Sequence, residues 1–324
     1  MIKRVGILTS GGDAPGMNAA IRAVVRTAIY HDLHIYGIMN GYEGLIEGKI
    51  KRLEKGDVGN IIQRGGTILK TSRSQRFMTV EGRQQAYETL LANDIDALVV
   101  IGGNGTLTGA AIFSEEFNIP IIGLPGTIDN DLSGTDYTIG FDTAINTAIE
   151  AVDKIRDTAD SHNRLFFVEV MGRDSGYIAM YTGIGSGAGN VLVPEIDTNL
   201  EDLVTALKLA AKRDKLFSII IVAEGCKMGG AQDIDKKVME QFADVEAKVT
   251  VIGHLQRGGA PSCQDRVLSS RLGYAAIYGL MNGETGCMAG VINNKVIFTP
   301  IKDAIVQQKE LNDDFIKLAK ILAI

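Results

Sequence analysis

The chain has 324 residues, of which 45% are hydrophobic, with 38 Gly, no Trp and a formal net charge of −6. That length suits two domains better than one and can bury a large core, while the acidic balance argues against a non-specific nucleic-acid binder, whose domains are usually basic. Three scattered cysteines (Cys226, Cys263, Cys287) and four histidines (His31, His34, His162, His254) show no metal-ligand spacing, and there is neither a bilayer-length apolar run nor a visible leader, so the expectation is a soluble cytoplasmic protein in a reducing compartment, without nucleic-acid or membrane partners.

The first apolar run, residues 5–9, predicts a strand, followed by the turn Ser10-Gly11-Gly12-Asp13 and a helix over 17–30. A strand over 35–39 comes next, then a second glycine turn, Gly65-Gly66-Thr67, and a helix over 80–92. The run at 97–101 leads directly into Gly102-Gly103-Asn104-Gly105-Thr106 and a helix over 106–116. Residues 120–124 read as a buried strand that ends in Pro125-Gly126-Thr127-Ile128-Asp129-Asn130-Asp131. The stretch 141–158 carries Ala144, Ile145, Ala148, Ile149, Val152 and Ile155 at helical spacing. Further strands are expected over 165–170, 218–223 and 249–253, and helices over 200–212, 234–242, 264–282 and 313–322. This alternation implies an α/β fold with a mainly parallel sheet and helices on both faces, and a first domain boundary near Gly140.

Glycine turns at strand ends let backbone N–H groups approach an anion, and a helix N-terminus behind them adds partial positive charge. Taken singly, each could equally be a tight turn without a ligand. The pair Asp129 and Asp131, on a loop just past a strand, could place one carboxylate as a proton acceptor and the other beside a metal; an ordinary Asx-rich turn is the alternative. Neither a P-loop nor the dinucleotide glycine fingerprint is present.

Seven ordered motifs go further: SGGDAPGMNAAIR from Ser10, GGT and SR between Gly65 and Arg73, GGNGT from Gly102, PGTIDND from Pro125, EVMGRDSGYIA from Glu169, VAEG from Val222 and GHLQRGG from Gly253. Together they closely resemble the ATP-dependent 6-phosphofructokinases of bacteria. The resemblance implies two similar α/β domains, each a mainly parallel sheet with helices on both faces, and an active site in the cleft between them. The larger, nucleotide-binding domain would take residues 1–140 plus about 256–306, and the smaller, sugar-phosphate-binding domain about 141–255 plus 307–324. It implies transfer of the γ-phosphoryl group of ATP to the 1-hydroxyl of fructose 6-phosphate, with Mg²⁺, in a homotetramer open to ADP or phosphoenolpyruvate as effector.

By the same resemblance, Asp129 is the base, Thr127 and Asp131 share its loop, and Arg173 neutralises the migrating phosphoryl group. Gly12, Tyr42, Arg73, Ser74, Gly103, Asn104, Gly105 and Thr106 belong to the nucleotide site. Met171, Gly172, Glu224, His254 and Arg257 hold the sugar phosphate, and Arg164 and Lys248 reach the 6-phosphate of a neighbouring subunit. Arg22, Arg26, Lys55, Arg156, Gly189, Arg213 and Lys215 map to the effector site, and Asn104 and Asp131 to the metal. Glycines at 105 and 126 favour ATP over pyrophosphate, because a Lys or Asp side chain there would occupy the nucleotide's space. Three positions depart from the family pattern. Asn104 stands for Asp, Lys248 for Arg and Gly189 for Glu, and weaker holding of Mg²⁺, of the 6-phosphate and of an Mg²⁺–ADP effector is expected in turn. The competing readings are a pyrophosphate-dependent relative and a regulatory, non-catalytic paralogue that binds nucleotide or sugar phosphate.

Overall fold

The computed structural model describes residues 2–162, 164–211, 218–242, 246–306 and 309–322. The chain divides into two compact units, the first of Met1–Thr143 and Arg257–Lys309, the second of Ala144–Gln256 and Glu310–Ile324.

The first unit opens with β1 (Arg4–Thr9), α1 (Met17–Tyr30), β2 (His34–Ile38), α2 (Gly41–Ile46), β3 (Ile50–Leu53), α3 (Val80–Ala92), β4 (Ala97–Gly102), α4 (Asn104–Phe117) and β5 (Ile121–Pro125). Next comes α5 (Phe141–His162), with the unit boundary after its third residue. The second unit continues with β6 (Leu165–Val170), α6 (Tyr177–Ser186), β7 (Asn190–Leu192), α7 (Leu200–Ala211), β8 (Ser218–Ala223), α8 (Ala231–Met239) and β9 (Ala247–Val251). The chain then supplies α9 (Cys263–Met281), β10 (Cys287–Ile292), β11 (Lys295–Pro300) and α10 (Ile301–Val306) to the first unit, and α11 (Asp313–Leu322) to the second.

The first sheet has the order β11-β10-β5-β4-β1-β2-β3; its five inner strands are parallel and both edge strands antiparallel. Every residue of β4 is buried, which is why this strand reads as a continuous apolar run and not an alternating one. α1 packs against α9 at a close approach that needs glycine: a Cβ on Gly273 would lie 2.8 Å from the Ala20 carbonyl oxygen. Two helices start on side-chain caps, with Thr79 Oγ1 accepting from Gly82 N and Ser262 Oγ from Asp265 N, both at 3.1 Å. The second sheet, β7-β8-β6-β9, is wholly parallel, and Phe167, Ile220, Val222, Leu203 and Ile234 pack in one core on it.

The α/β reading holds, with mainly parallel sheets. Seven elements go beyond those expected: α2, β3, α6, β7, β10, β11 and α10. The last sequence-expected strand lies two residues earlier than 249–253, because Gly253 opens a 3-10 turn, Gly253–Arg257, at a φ of 54°.

Candidate active site

Parallel neighbours in a sheet bring their C-terminal ends to one edge, where open α/β sheets hold ligands. β1, β4 and β5 are such neighbours, so their following loops meet. Ser10 N donates to Ile101 O at 3.1 Å and Gly126 N to Gly102 O at 3.0 Å. The glycines make the approach possible: a Cβ on Gly102 would lie 2.6 Å from Ser10 O, and one on Gly103 3.3 Å from Thr127 Cβ. The second glycine turn joins them through α1. Asn18 Nδ2 donates to the carbonyls of Arg64 and Gly65, both at 3.1 Å, and its Oδ1 accepts from Ile68 N at 2.8 Å. α4 begins behind Gly103 with no side-chain cap, which leaves its first backbone N–H groups for an anion.

On the loop after β5, Thr127, Asp129 and Asn130 are buried, Asp129 with 4% of its surface exposed. A buried carboxylate on a loop is held there by design of the backbone. Thr127 Oγ1 accepts from Asp129 N at 3.2 Å, Thr138 Oγ1 donates to Thr127 O at 2.6 Å, and Asn130, at a φ of 52°, accepts from Thr138 N at 2.9 Å. Asp131 Oδ2 accepts from Asn104 Nδ2 at 2.6 Å. The other side of that amide, Asn104 Oδ1, is buried and has no hydrogen-bond partner among the described residues.

Other expected nucleotide residues sit further back. Tyr42 is stacked on Phe77, with ring centroids 3.9 Å apart, and donates its hydroxyl to Thr106 O at 2.7 Å. Burial pushes its phenol well above the usual range. Tyr42 therefore packs behind the loop as core. Ser74 Oγ donates to Glu43 and accepts from Phe77 N at 3.1 Å; that bond, together with Arg76, holds Glu43 below the usual carboxylate range. Arg73 is exposed. Arg257, expected at the sugar phosphate, covers the first glycine turn: its Nη1 donates to Asp13 O at 3.1 Å and lies 2.8 Å from where a Cβ on Gly12 would be. Gly105 faces open space: nothing lies within 4 Å of where its Cβ would be. Gly126 has a different reason to be glycine, since a Cβ there would meet Ile101, Met17 and Gly102 N at 2.9–3.2 Å.

In the second unit, β6 ends in the turn Met171-Gly172-Arg173. Glu224 Oε1 accepts from Gly172 N at 3.1 Å and from Arg173 N at 2.7 Å, and the fully buried Gln256 accepts from Met171 N at 2.8 Å. Arg173 has a φ of 51° and Gly172 a φ of 141°. Glu224 thus builds the turn that presents Arg173. Gln256, which sequence reasoning passed over, shares that task; an amide between His254, Leu255 and Arg257 in GHLQRGG was the available signal. His254 lies in the 3-10 turn beside it. Arg164 Nε and Lys248 Nζ each contact one oxygen of Glu246 at 2.8 Å, and these two cations, Lys248 first, hold that carboxylate below its usual range.

Of the expected effector residues, Arg22 and Arg26 lie one turn apart on α1; burial and then the charge of Arg26 lower the Arg22 pKa. Lys55 is exposed. Arg156 donates to the carbonyls of Ser186 and Gly187 at the C-terminus of α6, a position that suits a cation. Gly189 N donates to Ile219 O at 2.9 Å. Arg213 and Lys215 lie outside the described residues.

For a divalent cation, the described residues form no cluster of three or more His, Cys, Asp or Glu. They do offer one carboxylate, Asp131, beside one unpartnered amide oxygen, Asn104 Oδ1. That set fits Mg²⁺, which usually takes one or two carboxylates plus substrate phosphates and water. Among the described residues no helix is long and apolar enough to cross a membrane.

Residues 4–280 match the family model described as Phosphofructokinase. The chain is 52% identical over 323 residues to ATP-dependent 6-phosphofructokinase 2 of Bacteroides thetaiotaomicron, covering 100% of this chain and 99% of the relative. It is also 52% identical to ATP-dependent 6-phosphofructokinase 1 of Thermus thermophilus, over the whole of both chains. The solved phosphofructokinase of Saccharomyces cerevisiae superposes with a TM-score of 0.89 at 37% identity over 94% of this chain, which spans 45% of the length of that one. The chain belongs to the phosphofructokinase family.

Proposed function

We propose that this protein is an ATP-dependent 6-phosphofructokinase, which transfers the γ-phosphoryl group of ATP to the 1-hydroxyl of fructose 6-phosphate in glycolysis. The observation that carries the reading is the buried Asp129 on the β5 loop, set among glycine turns whose close approach a Cβ would block. Phosphoryl transfer asks a protein for positioning and positive charge, and for one group to take the hydroxyl proton. Asp129 takes the proton of the attacking hydroxyl. The turns at Gly11–Gly12 and Gly102–Gly105, with the N-terminus of α4, receive the nucleotide's phosphates. Arg257, lying on the first turn, adds a guanidinium there. Arg73 and Thr106 complete the nucleotide side, with Tyr42 and Ser74 supporting the loops from behind.

In the second unit, Arg173 supplies charge to the transferred phosphoryl group, in a turn fixed by Glu224 and Gln256. Met171, Gly172 and His254 belong to sugar-phosphate binding. Arg164 and Lys248 serve the 6-phosphate of a neighbouring subunit's substrate within a homotetramer. ADP or phosphoenolpyruvate would act through Arg22, Arg26, Lys55 and Arg156. Asp131 and the oxygen of Asn104 would hold Mg²⁺, which neutralises phosphate charge when bound.

The test is Asp129→Asn in a coupled assay for fructose 1,6-bisphosphate formation. Loss of a general base lowers kcat by about 100- to 10,000-fold with little change in KM. A variant whose kcat stays within threefold of the parent chain refutes the assignment, and a parent chain inactive with ATP and active with pyrophosphate refutes the donor.

A further inference from the structure

The loop that carries Thr127, Asp129 and Asp131 is tied down at its far end by the last part of the first unit. Ser133 N donates to Ala304 O at 3.1 Å and Asp136 N to Val291 O at 2.7 Å. Val291 N donates to Thr135 Oγ1 at 3.1 Å, and Asn293 N to Asp136 Oδ2 at 2.8 Å. Gly134 takes a φ of 81°, and a Cβ on Gly290 would lie 2.1 Å from its carbonyl oxygen. Lys309, the final residue of the unit, completes the clamp: its Nζ donates to Thr135 O at 2.9 Å and to Asp136 O at 2.6 Å.

Two adjacent carbonyls could be held by any neutral donor. Lys309 instead brings a full charge into a poorly solvated place. Burial pulls its pKa down to about 8, against the opposing pull of the Asp136 and Asp131 carboxylates. Of these two carboxylates Asp136 pulls the more strongly, while Asp131, which also receives the Asn104 amide, is the one that offers an oxygen to a cation.

We propose that Lys309 is a positioning residue for phosphoryl transfer: its ammonium fixes the 131–136 turn through two carbonyls and sets the charge against which Asp131 is poised. This rests on the reading of the β5 loop as the transfer site. It carries a signature that loosening of the fold alone would not give. Removing the ammonium frees the turn, which lowers turnover. It also removes a positive charge that acts on Asp136 and Asp131, and so makes Asp131 a better ligand for a divalent cation. Turnover and metal affinity therefore move in opposite directions.

The experiment compares the full chain with Lys309→Met, Lys309→Gln and Lys309→Arg. Steady-state kinetics are measured beside direct Mn²⁺ binding, followed by electron paramagnetic resonance in the presence of ADP. The Met variant should lose about tenfold in kcat with both KM values within about twofold, and bind Mn²⁺ about threefold more tightly. Arg should recover most of the kcat. Gln, which is uncharged and one bond shorter than Lys, keeps the test open should Met fail to fold, and should lower kcat and tighten Mn²⁺ in the same way. The inference is overturned if kcat of the neutral variants stays within twofold of the parent, if their Mn²⁺ binding weakens along with kcat, or if Arg is as impaired as Met. A parent chain that does not phosphorylate fructose 6-phosphate defeats the functional reading, whereas an active parent with indifferent Lys309 variants defeats only this one.

Discussion

Asn104→Asp puts the charge balance of the β5 loop to its sharpest test. In the parent chain the Asn104 amide donates to Asp131 at 2.6 Å, so the Asp131 carboxylate faces a neutral donor there and not a second anion. An Asp at 104 replaces that donor with a carboxylate oxygen and leaves two anions in contact. Two carboxylates sharing a site do not both ionise readily; raising the pKa of one by about 2 units corresponds to about 3 kcal/mol at neutral pH. In a unit of about 200 residues this lowers the melting temperature by about 6–12 °C. Lys309 offsets part of it, which favours the lower end. The sign follows from the raised carboxyl pKa: the variant matches the parent below about pH 4 and loses stability as pH rises through about 6. Mg²⁺ with ADP, bound by the folded state, should recover most of the deficit, and the Mg²⁺ concentration for half-maximal rate should fall. Differential scanning fluorimetry from pH 4 to 8, with and without Mg²⁺ and ADP, reads all of these. A variant as stable as the parent at pH 8 without metal, or a deficit that Mg²⁺ leaves untouched, refutes the reasoning.

Three further outcomes follow from the geometry. Glu246→Gln should release Arg164 and Lys248 and lower KM for fructose 6-phosphate about two- to threefold, with kcat unchanged and the gain lost at high salt; an unchanged KM removes these cations from phosphate binding. Gly225→Ala would place a Cβ 1.9 Å from Arg173 O, so the turn must shift and kcat should fall about 100-fold; a loss under threefold shows that this turn does not position the reacting charge. Asp265 accepts from Gly140 N, Thr143 N and Thr143 Oγ1, and burial nevertheless raises its pKa to about 6. The folded chain then binds an extra proton between about pH 4 and 6, and this group's part of the stability is lost as pH rises through that window. A carbon-13 titration of its carboxyl with a midpoint near 4 would contradict this.

The glycine turns and the β5 loop were legible because their chemistry is local: a run such as ALVVI followed by GGNGT states both the buried strand and the side-chain-poor turn after it. The roles of particular side chains were less so. Lys309 meets carbonyls more than 170 positions away, and Asp265 holds the start of a helix more than 120 positions away, so neither shows a pattern in its own neighbourhood. Arg257 was assigned by motif to the sugar phosphate, and only its contact with Asp13 O shows that it leans on the first glycine turn. The β10–β11 hairpin was missed for a weaker reason. Asn293 and Asn294 sit at φ of 48° and 62°, a two-residue turn of a kind that Asn favours, and the pair stands plainly in the sequence.

Arg173 shows why one carboxylate serves two purposes. Among the described residues, eight of the ten non-glycine positions with positive φ are Asn or Asp, which tolerate that conformation; the exceptions are Lys70 and Arg173. Such a conformation costs on the order of 1 kcal/mol or more and persists only where the surroundings over-determine it. Glu224 does so by accepting from the N–H groups of both Gly172 and Arg173, while Gly225 leaves room for the Arg173 carbonyl. With the role proposed for Arg173, Glu224 would act on the reaction through that turn whatever contact it makes with the sugar. A residue that only held substrate would, when changed, raise KM and leave kcat alone. The role proposed for Arg173 predicts the other result for Glu224→Ala: once its acceptor is gone, the left-handed turn relaxes, the guanidinium leaves its place, and kcat falls with it, whereas a raised KM at unchanged kcat refutes it.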